Sequence, residues 1–238
     1  MTRARFVLRV LRSAPASDAH DSTPRFQDFE VEVEPDATVL DALELVRAER
    51  DPGLAYRHSC HHASCGTCGC RVNGVERLTC VTRLADLGAE VVTVEPLRGF
   101  RCEGDLVVDP GPLFRAMPER WSVLREAEGG RDERTTRLED CIECGLCVSA
   151  CPIAGTDDRY VGPAALAAAQ RMLEEPRGAD PAELLSWADE PDGVWRCHAA
   201  FECSEACPSN VNPAARIMAL RGMLVGGALA FPEREEAR

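Results

Sequence analysis

Residues 3–12 and 25–34 alternate apolar with polar side chains, most clearly where Phe29, Val31 and Val33 interleave with Glu30, Glu32 and Glu34. A period of two sends one face of an extended chain into a core and the other into water, so both stretches are read as strands. Residues 14–24 carry Pro, Ser, Asp and Thr, and join the strands as a hairpin. At Pro35-Asp36-Ala37-Thr38 the period becomes helical: Val39, Ala42, Leu43 and Val46 share a face, and Asp51-Pro52-Gly53 stops the helix. Asn73-Gly74 suits the positive φ angles of a two-residue turn, and residues 91–94 supply a closing strand. Residues 97–113, rich in Gly and Pro, read as a connector. Beyond Leu113 the pattern turns helical, with Trp121, Val123 and Leu124 on an apolar face and a charged loop at 129–137. Three later helices have legible starts: Gly162-Pro163, Asp180-Pro181 with Glu183 three residues on, and Asn212-Pro213.

The pattern predicts an α+β chain of two domains, strand-rich over 1–104 and all-α over 105–238. At 238 residues each half can bury its own core. The chain has 13 Cys, and their spacing sharpens the picture. Cys60, Cys65 and Cys68 form C-x4-C-x2-C with Cys80 as a distant fourth, the plant-type 2Fe-2S pattern, which makes the first domain a β-grasp ferredoxin. Gly66 and Gly69 let the backbone wrap closely and turn its N–H groups toward sulfur. Cys141, Cys144, Cys147 and Cys151-Pro152 form C-x2-C-x2-C-x3-C-P, in which three thiolates hold one cube and the fourth Cys serves the other cluster. Cys207-Pro208 then completes a 4Fe-4S set with Cys141, Cys144 and Cys147. Cys151, Cys197 and Cys203 remain, and Ala200 stands where a middle thiolate would belong. Three ligands suit a 3Fe-4S cluster, and the second domain is read as a helical ferredoxin. Cys70 as a ligand would break the spacing, and Cys102 is read as a small buried hydrophobe. His61 and His62 are read as exposed loop residues, because four Cys already suffice for the 2Fe-2S centre.

Runs of C-x2-C without a secretory apolar stretch favour metal over disulfides, hence a reduced, intracellular protein. The basic N-terminus never runs more than two apolar residues before an Arg, and residues 222–231 fall well short of the ~20 apolar residues that span a bilayer. Any membrane role must go through partners. A net charge of -13 argues against nucleic acid and against adsorption on anionic lipid. The chain has no G-x-G-x-x-G, no P-loop and no paired acid-base residues, so it is read as an electron wire that does no bond chemistry.

The order of these motifs resembles the iron-sulfur subunit of succinate dehydrogenase and fumarate reductase, respiratory complex II. The matching residues are Arg57-His58-Ser59-Cys60, Cys65-Gly66-Thr67-Cys68, Asn73-Gly74, Asp105-Leu106-Val107-Val108-Asp109, Cys141 to Cys147, Gly162-Pro163-Ala164-Ala165 and Cys197-His198. The resemblance implies a flavoprotein partner with covalent FAD that interconverts succinate and fumarate. It implies electron passage through the 2Fe-2S, 4Fe-4S and 3Fe-4S centres to a quinone at a membrane anchor, a cytochrome b subunit. Cys60, Cys65, Cys68 and Cys80 would then face the flavoprotein, and Cys151, Cys197 and Cys203 the anchor, on the cytoplasmic face of a bacterial inner membrane. Pro152, His198 and Ala200 are the implied quinone neighbours. Many members carry an aromatic pair at the positions of Gly155 and Thr156. The alternatives are a wire for another flavin-linked, thiol- or heterodisulfide-type reductase, a free ferredoxin with two ordinary cubes, and a zinc-binding structural protein.

Overall fold

The structure, a computed structural model, describes residues 3–13, 23–118, 121, 141–175 and 178–226. Strands β1 (Ala4–Arg12) and β2 (Arg25–Val33) pair antiparallel with Leu8 opposite Phe29 and Phe6 opposite Val31. The alternation works as its period requires: Leu8, Val10, Phe29, Val31 and Val33 are buried. On the wet face Arg9 meets Asp28 at 2.8 Å. Helix α1 (Val39–Glu49) starts one residue after Thr38, because Thr38 caps it. The Thr38 hydroxyl accepts from the Asp41 N–H at 3.2 Å, and the Asp41 carboxylate accepts from the Thr38 N–H at 2.8 Å.

Strands β3 (Gly69–Val72), β4 (Val75–Leu78) and β5 (Val91–Glu95) complete a sheet of order β2-β1-β5-β3-β4. Only the β1–β5 pairing is parallel. Asn73 and Gly74, with φ of +50° and +79°, make the tight turn between β3 and β4, and Asn73 Oδ1 accepts from the Thr93 N–H at 2.8 Å. This is the β-grasp half of an α+β protein.

The stretch expected to be a connector is instead a folded part of the first core. Within it β6 (Cys102–Gly104) and β7 (Val107–Val108) form a hairpin, and Leu106 and Val108 are buried with the sheet residues. Asp105 makes this possible. It turns the hairpin at φ +45°, and its buried carboxylate accepts from the N–H groups of Ser13 (3.0 Å) and Ala55 (2.9 Å) and pairs with Arg12 Nε at 2.9 Å. Arg12 also pairs with Asp51, two residues past the end of α1. One carboxylate thus clips the hairpin to the end of β1 and to the approach of the cysteine loop. Cys102 is half-buried rather than fully buried, with its sulfur 3.1 Å from Ser13 Oγ and 3.4 Å from the Asp105 carbonyl.

The second half is helical: α2 (Gly111–Arg115), α3 (Leu146–Ala150), α4 (Gly162–Glu174), α5 (Pro181–Ala188), α6 (Glu202–Glu205) and α7 (Pro213–Leu224). Asp180 caps α5 by accepting from the N–H groups of Ala182 and Glu183, and Asn212 caps α7 through the Ala215 N–H. Leu166, Leu184, Val194, Ile217 and Leu220 form its core, joined by Trp121, which meets Trp187 edge-on at 5.3 Å. Of the expected apolar face only Trp121 is described; Val123, Leu124 and the 129–137 loop lie outside the described residues. Arg216 ties α7 to α4 through Gln170 Oε1 (2.8 Å) and Glu174 (3.1 Å). The halves meet at α3. Leu146 belongs to the first core, and Ser149 Oγ donates to Glu76 of β4 at 2.8 Å while accepting from the Arg98 N–H at 2.9 Å.

Asp105→Ala should cost at least about 2 kcal/mol, since it strands two N–H groups and weakens the hold on Arg12. Asp105→Asn, which keeps an oxygen acceptor, should cost less. Thermal midpoints of the two variants test this order, and equal midpoints would contradict the clip.

Candidate iron-sulfur sites

Cys60 sits on a loop that aims backbone N–H groups at its sulfur, from His62 at 3.5 Å and Ser64 at 3.2 Å. The left-handed conformations of His61 and Ala63, φ +61° and +62°, lie within this loop. The His62 N–H first, then the Ser64 hydroxyl and N–H and the Cys65 side chain, pull the Cys60 thiol down to about 5. Cys65 neighbours Cys60 and lies 3.1 Å from Thr67 Oγ1. Thr79 binds the Cys68 carbonyl through both its N–H (3.2 Å) and its hydroxyl (3.1 Å), which brings Cys80 back beside Cys68. Burial, opposed by the Ala63 N–H and aided by Cys68 and Cys60, pushes Cys80 up to about 11. The four residues expected to act together are therefore together. Cys70 is on β3 and only 4% exposed within the hydrophobic core, where burial pushes its thiol up to about 12.

The second set is Cys141, Cys144, Cys147 and Cys207. Burial raises Cys144 to about 11 and Cys147 well above the ordinary thiol value, and the charges of the neighbouring cysteines, Cys207 included, add to both. The N–H groups of Glu143, Leu146 and Val211 point at Cys141, Cys144 and Cys207, the last at 3.3 Å. All four line a cavity of about 470 Å³ walled by Leu113, Phe114, Met117, Ala164, Ala165 and Val211 among others. The third set is Cys151, Cys197 and Cys203. Burial, then the charges of Cys151 and Cys197, raise Cys203 to about 11, and the Ala199 N–H lies 3.4 Å from the Cys197 sulfur. These three cysteines share a small cavity with Pro152, His198 and Ala200, the positions expected to neighbour quinone.

Tyr160 was not singled out in the sequence, where nothing but its place before Gly162-Pro163 marks it. Its buried hydroxyl lies beside this third set, where burial and the charges of Cys197, Cys151 and Cys203 raise its pKa.

The backbone conformation marks all three places. Apart from Asn73 and Asp105, every non-glycine residue with positive φ among the described residues lies in or just after a cysteine run: His61, Ala63, Glu143, Ala199, Phe201, Asn210 and Asn212. Left-handed residues are costly and persist where a site demands them. Here they sit where N–H groups converge on sulfur.

The donor sets fit iron-sulfur clusters better than zinc. A tetrahedral zinc with Zn–S near 2.3 Å holds its sulfurs about 3.8 Å apart, yet among the described residues no three cysteine sulfurs lie within 4.8 Å of one another. In a cluster the thiolates are spread over several irons, which sets them farther apart.

The three sets are also in series. Gly66, in the first loop at φ +72°, lies so close to the second that an added Cβ would stand 2.5 Å from the Ile142 carbonyl oxygen and 2.9 Å from Cys144 Cα. Cys147 of the second set feels the charge of Cys203 in the third, and Cys151 ends the same helix α3.

Comparison with known proteins agrees with this construction. Residues 7–115 match the family model of a 2Fe-2S iron-sulfur cluster binding domain, and residues 137–211 that of a 4Fe-4S dicluster domain. Fold and motifs thus define a multi-cluster ferredoxin-type protein. The fumarate reductase iron-sulfur subunit of Mycobacterium tuberculosis is 36% identical over 225 residues, covering 90% of each chain. The succinate dehydrogenase iron-sulfur subunit of Coxiella burnetii is 35% identical, covering 89% of this chain and 94% of its own. A chain of the Mycobacterium smegmatis Sdh1 complex in the apo form superposes with a TM-score of 0.79 at 26% identity, over 94% of this chain and 96% of that one. The chain belongs to the family of fumarate reductase and succinate dehydrogenase iron-sulfur subunits.

Cys70→Ser should leave the visible spectrum of the 2Fe-2S centre in place, because that side chain is packed in the core, whereas Cys68→Ser should alter or abolish it. Loss of the spectrum in Cys70→Ser would contradict the grouping.

Proposed function

We propose that this chain is the electron-transferring subunit of a succinate:quinone oxidoreductase. Cys60, Cys65, Cys68 and Cys80 hold a 2Fe-2S cluster, Cys141, Cys144, Cys147 and Cys207 a 4Fe-4S cluster, and Cys151, Cys197 and Cys203 a 3Fe-4S cluster. Bound there, the clusters supply one-electron transfer between FAD on a flavoprotein partner and quinone at a membrane anchor. The observation that carries this reading is the serial placement of the three sulfur sets, joined at Gly66–Cys144 and at Cys147–Cys203.

The chain's own backbone sets the charge that each cysteine group can carry. N–H groups directed at Cys60, Cys197 and Cys207 offset the negative charge of thiolates, which favours the reduced state. Ala200 borders the same cavity as Cys151, Cys197 and Cys203, so the place where a fourth thiolate would reach carries a methyl group. That supports a three-iron centre over a second cube, and disfavours the free ferredoxin. Pro152 and His198 line the same cavity and are the quinone neighbours in this reading. His198 is exposed, as a group offered to a ligand at the anchor would be. No helix among the described residues is long and apolar enough to cross a membrane. In this reading the chain is peripheral, held by the anchor on the cytoplasmic face of a bacterial membrane.

The test is a tagged chain purified from its native membranes, wild type and Ala200→Cys. The wild type should bring down a flavoprotein with covalent FAD and a membrane anchor, and succinate should reduce its clusters. Ala200→Cys should lose the 3Fe-4S EPR signal, lower that centre's potential and slow quinone reduction while succinate still reduces the 2Fe-2S centre. A chain that purifies alone and is not reduced by succinate in the presence of its membranes contradicts the assignment.

A further inference from the structure

Glu44 of α1 and His58 and His61 of the first cysteine loop bring three ligand atoms to one point on the protein surface. His58 Nδ1 lies 2.9 Å from His61 Nε2, and Glu44 Oε1 lies 3.5 Å from the first and 3.6 Å from the second. A divalent metal with ligands at 2.0–2.1 Å in tetrahedral array sets them about 3.3 Å apart. The three observed separations straddle that value. Among the described residues this is the one group of three such ligand atoms mutually within 4.8 Å. None of the three belongs to the cysteine sets, so the binding of an ion here is independent of the electron route proposed above, while its effect on the 2Fe-2S centre rests on that reading.

The rings are held in place before any ion arrives. His58 stacks on Tyr56, centroids 5.4 Å apart and planes at 29°, and Tyr56 is buried. His61 meets the edge of His58 at 5.0 Å and 86°, from the left-handed backbone at φ +61°. Arg47, one turn from Glu44 on α1, has its guanidinium over the Tyr56 ring at 5.5 Å. His62 is turned elsewhere, its ring nitrogens on the Cys60 carbonyl and on Ser64 Oγ. Two imidazoles and one carboxylate at the surface leave further coordination positions to water, which suits borderline divalent ions.

We propose that Glu44, His58 and His61 form a binding site for a zinc-class divalent cation, directly beside the 2Fe-2S loop. The bound ion places two positive charges one residue from Cys60, where they favour the more negative, reduced cluster. The site thereby couples metal occupancy to the potential of that centre.

The test uses the full cluster-loaded chain under anaerobic conditions, with iron content and visible spectrum followed throughout. Calorimetric titration with Zn²⁺ should find one saturable site per chain. Glu44→Gln, His58→Gln and His61→Gln should each weaken it by at least about tenfold, no less than the loss of a mere supporting group costs, and His62→Gln should not. Ni²⁺, which is paramagnetic, should speed relaxation of the reduced 2Fe-2S EPR signal in the wild type but not in Glu44→Gln. Zn²⁺ should raise that centre's midpoint potential in the wild type alone. If a histidine variant loses its cluster, Glu44→Gln, which lies on α1 outside the loop, decides. No saturable Zn²⁺ site on the wild type, or unchanged binding in Glu44→Gln, overturns the proposal.

Discussion

Packing several cysteine sulfurs around one point is the constraint on which the rest of this structure depends. As neutral thiols they are poor hydrogen-bonding partners, and as thiolates they repel one another in an apolar setting. Burial accordingly holds Cys80, Cys144 and Cys203 near 11. In the reading proposed above, iron takes the place of those protons, so that metal binding and the ordering of the loops are coupled. The fold meets this constraint with short left-handed turns, which turn N–H groups onto sulfur at Cys60, Cys197 and Cys207. Each turn is locally costly, and each lies against a rigid element, sheet or helix, that holds it.

The same constraint explains how the two halves join. Much of their contact is made by the cysteine runs themselves: Gly66 against Ile142 and Cys144, and Leu146 seated in the first core. Glycine at 66 is required twice, by its positive φ and by the absence of space for a Cβ. A junction this tight brings one cysteine set close to the next, and distance is what an electron carrier must control. The helices beyond, with Arg216 bridging α7 to α4, form the scaffold behind the second and third sets.

Much of this was legible in the sequence because it is local. The alternation around Phe29, the helix start after Pro35-Asp36-Ala37-Thr38, the Asn73-Gly74 turn and the cysteine spacings all depend on neighbours a few residues away. Features built from distant contacts were not legible. The β6–β7 hairpin has strands of three and two residues inside a Gly- and Pro-rich stretch, too short for any period to register. Its stability comes from Asp105 reaching Ser13 and Ala55, which no spacing encodes. Tyr160 acquires its place beside Cys197 only when the helical half closes, and Glu44 meets His58 and His61 only because α1 packs beside the loop. His61 read as an ordinary exposed loop residue from spacing alone, and its meeting with Glu44 and His58 is a product of the tertiary fold.

The central claim is three clusters in series, the last with three thiolate ligands. It is tested most directly by EPR of the anaerobically purified chain, as isolated and after reduction, with iron counted per polypeptide. About nine irons, a 3Fe-4S signal in the oxidised state, and 2Fe-2S and 4Fe-4S signals on reduction are the expected result. About ten irons with two cubes and no 3Fe-4S signal would contradict it.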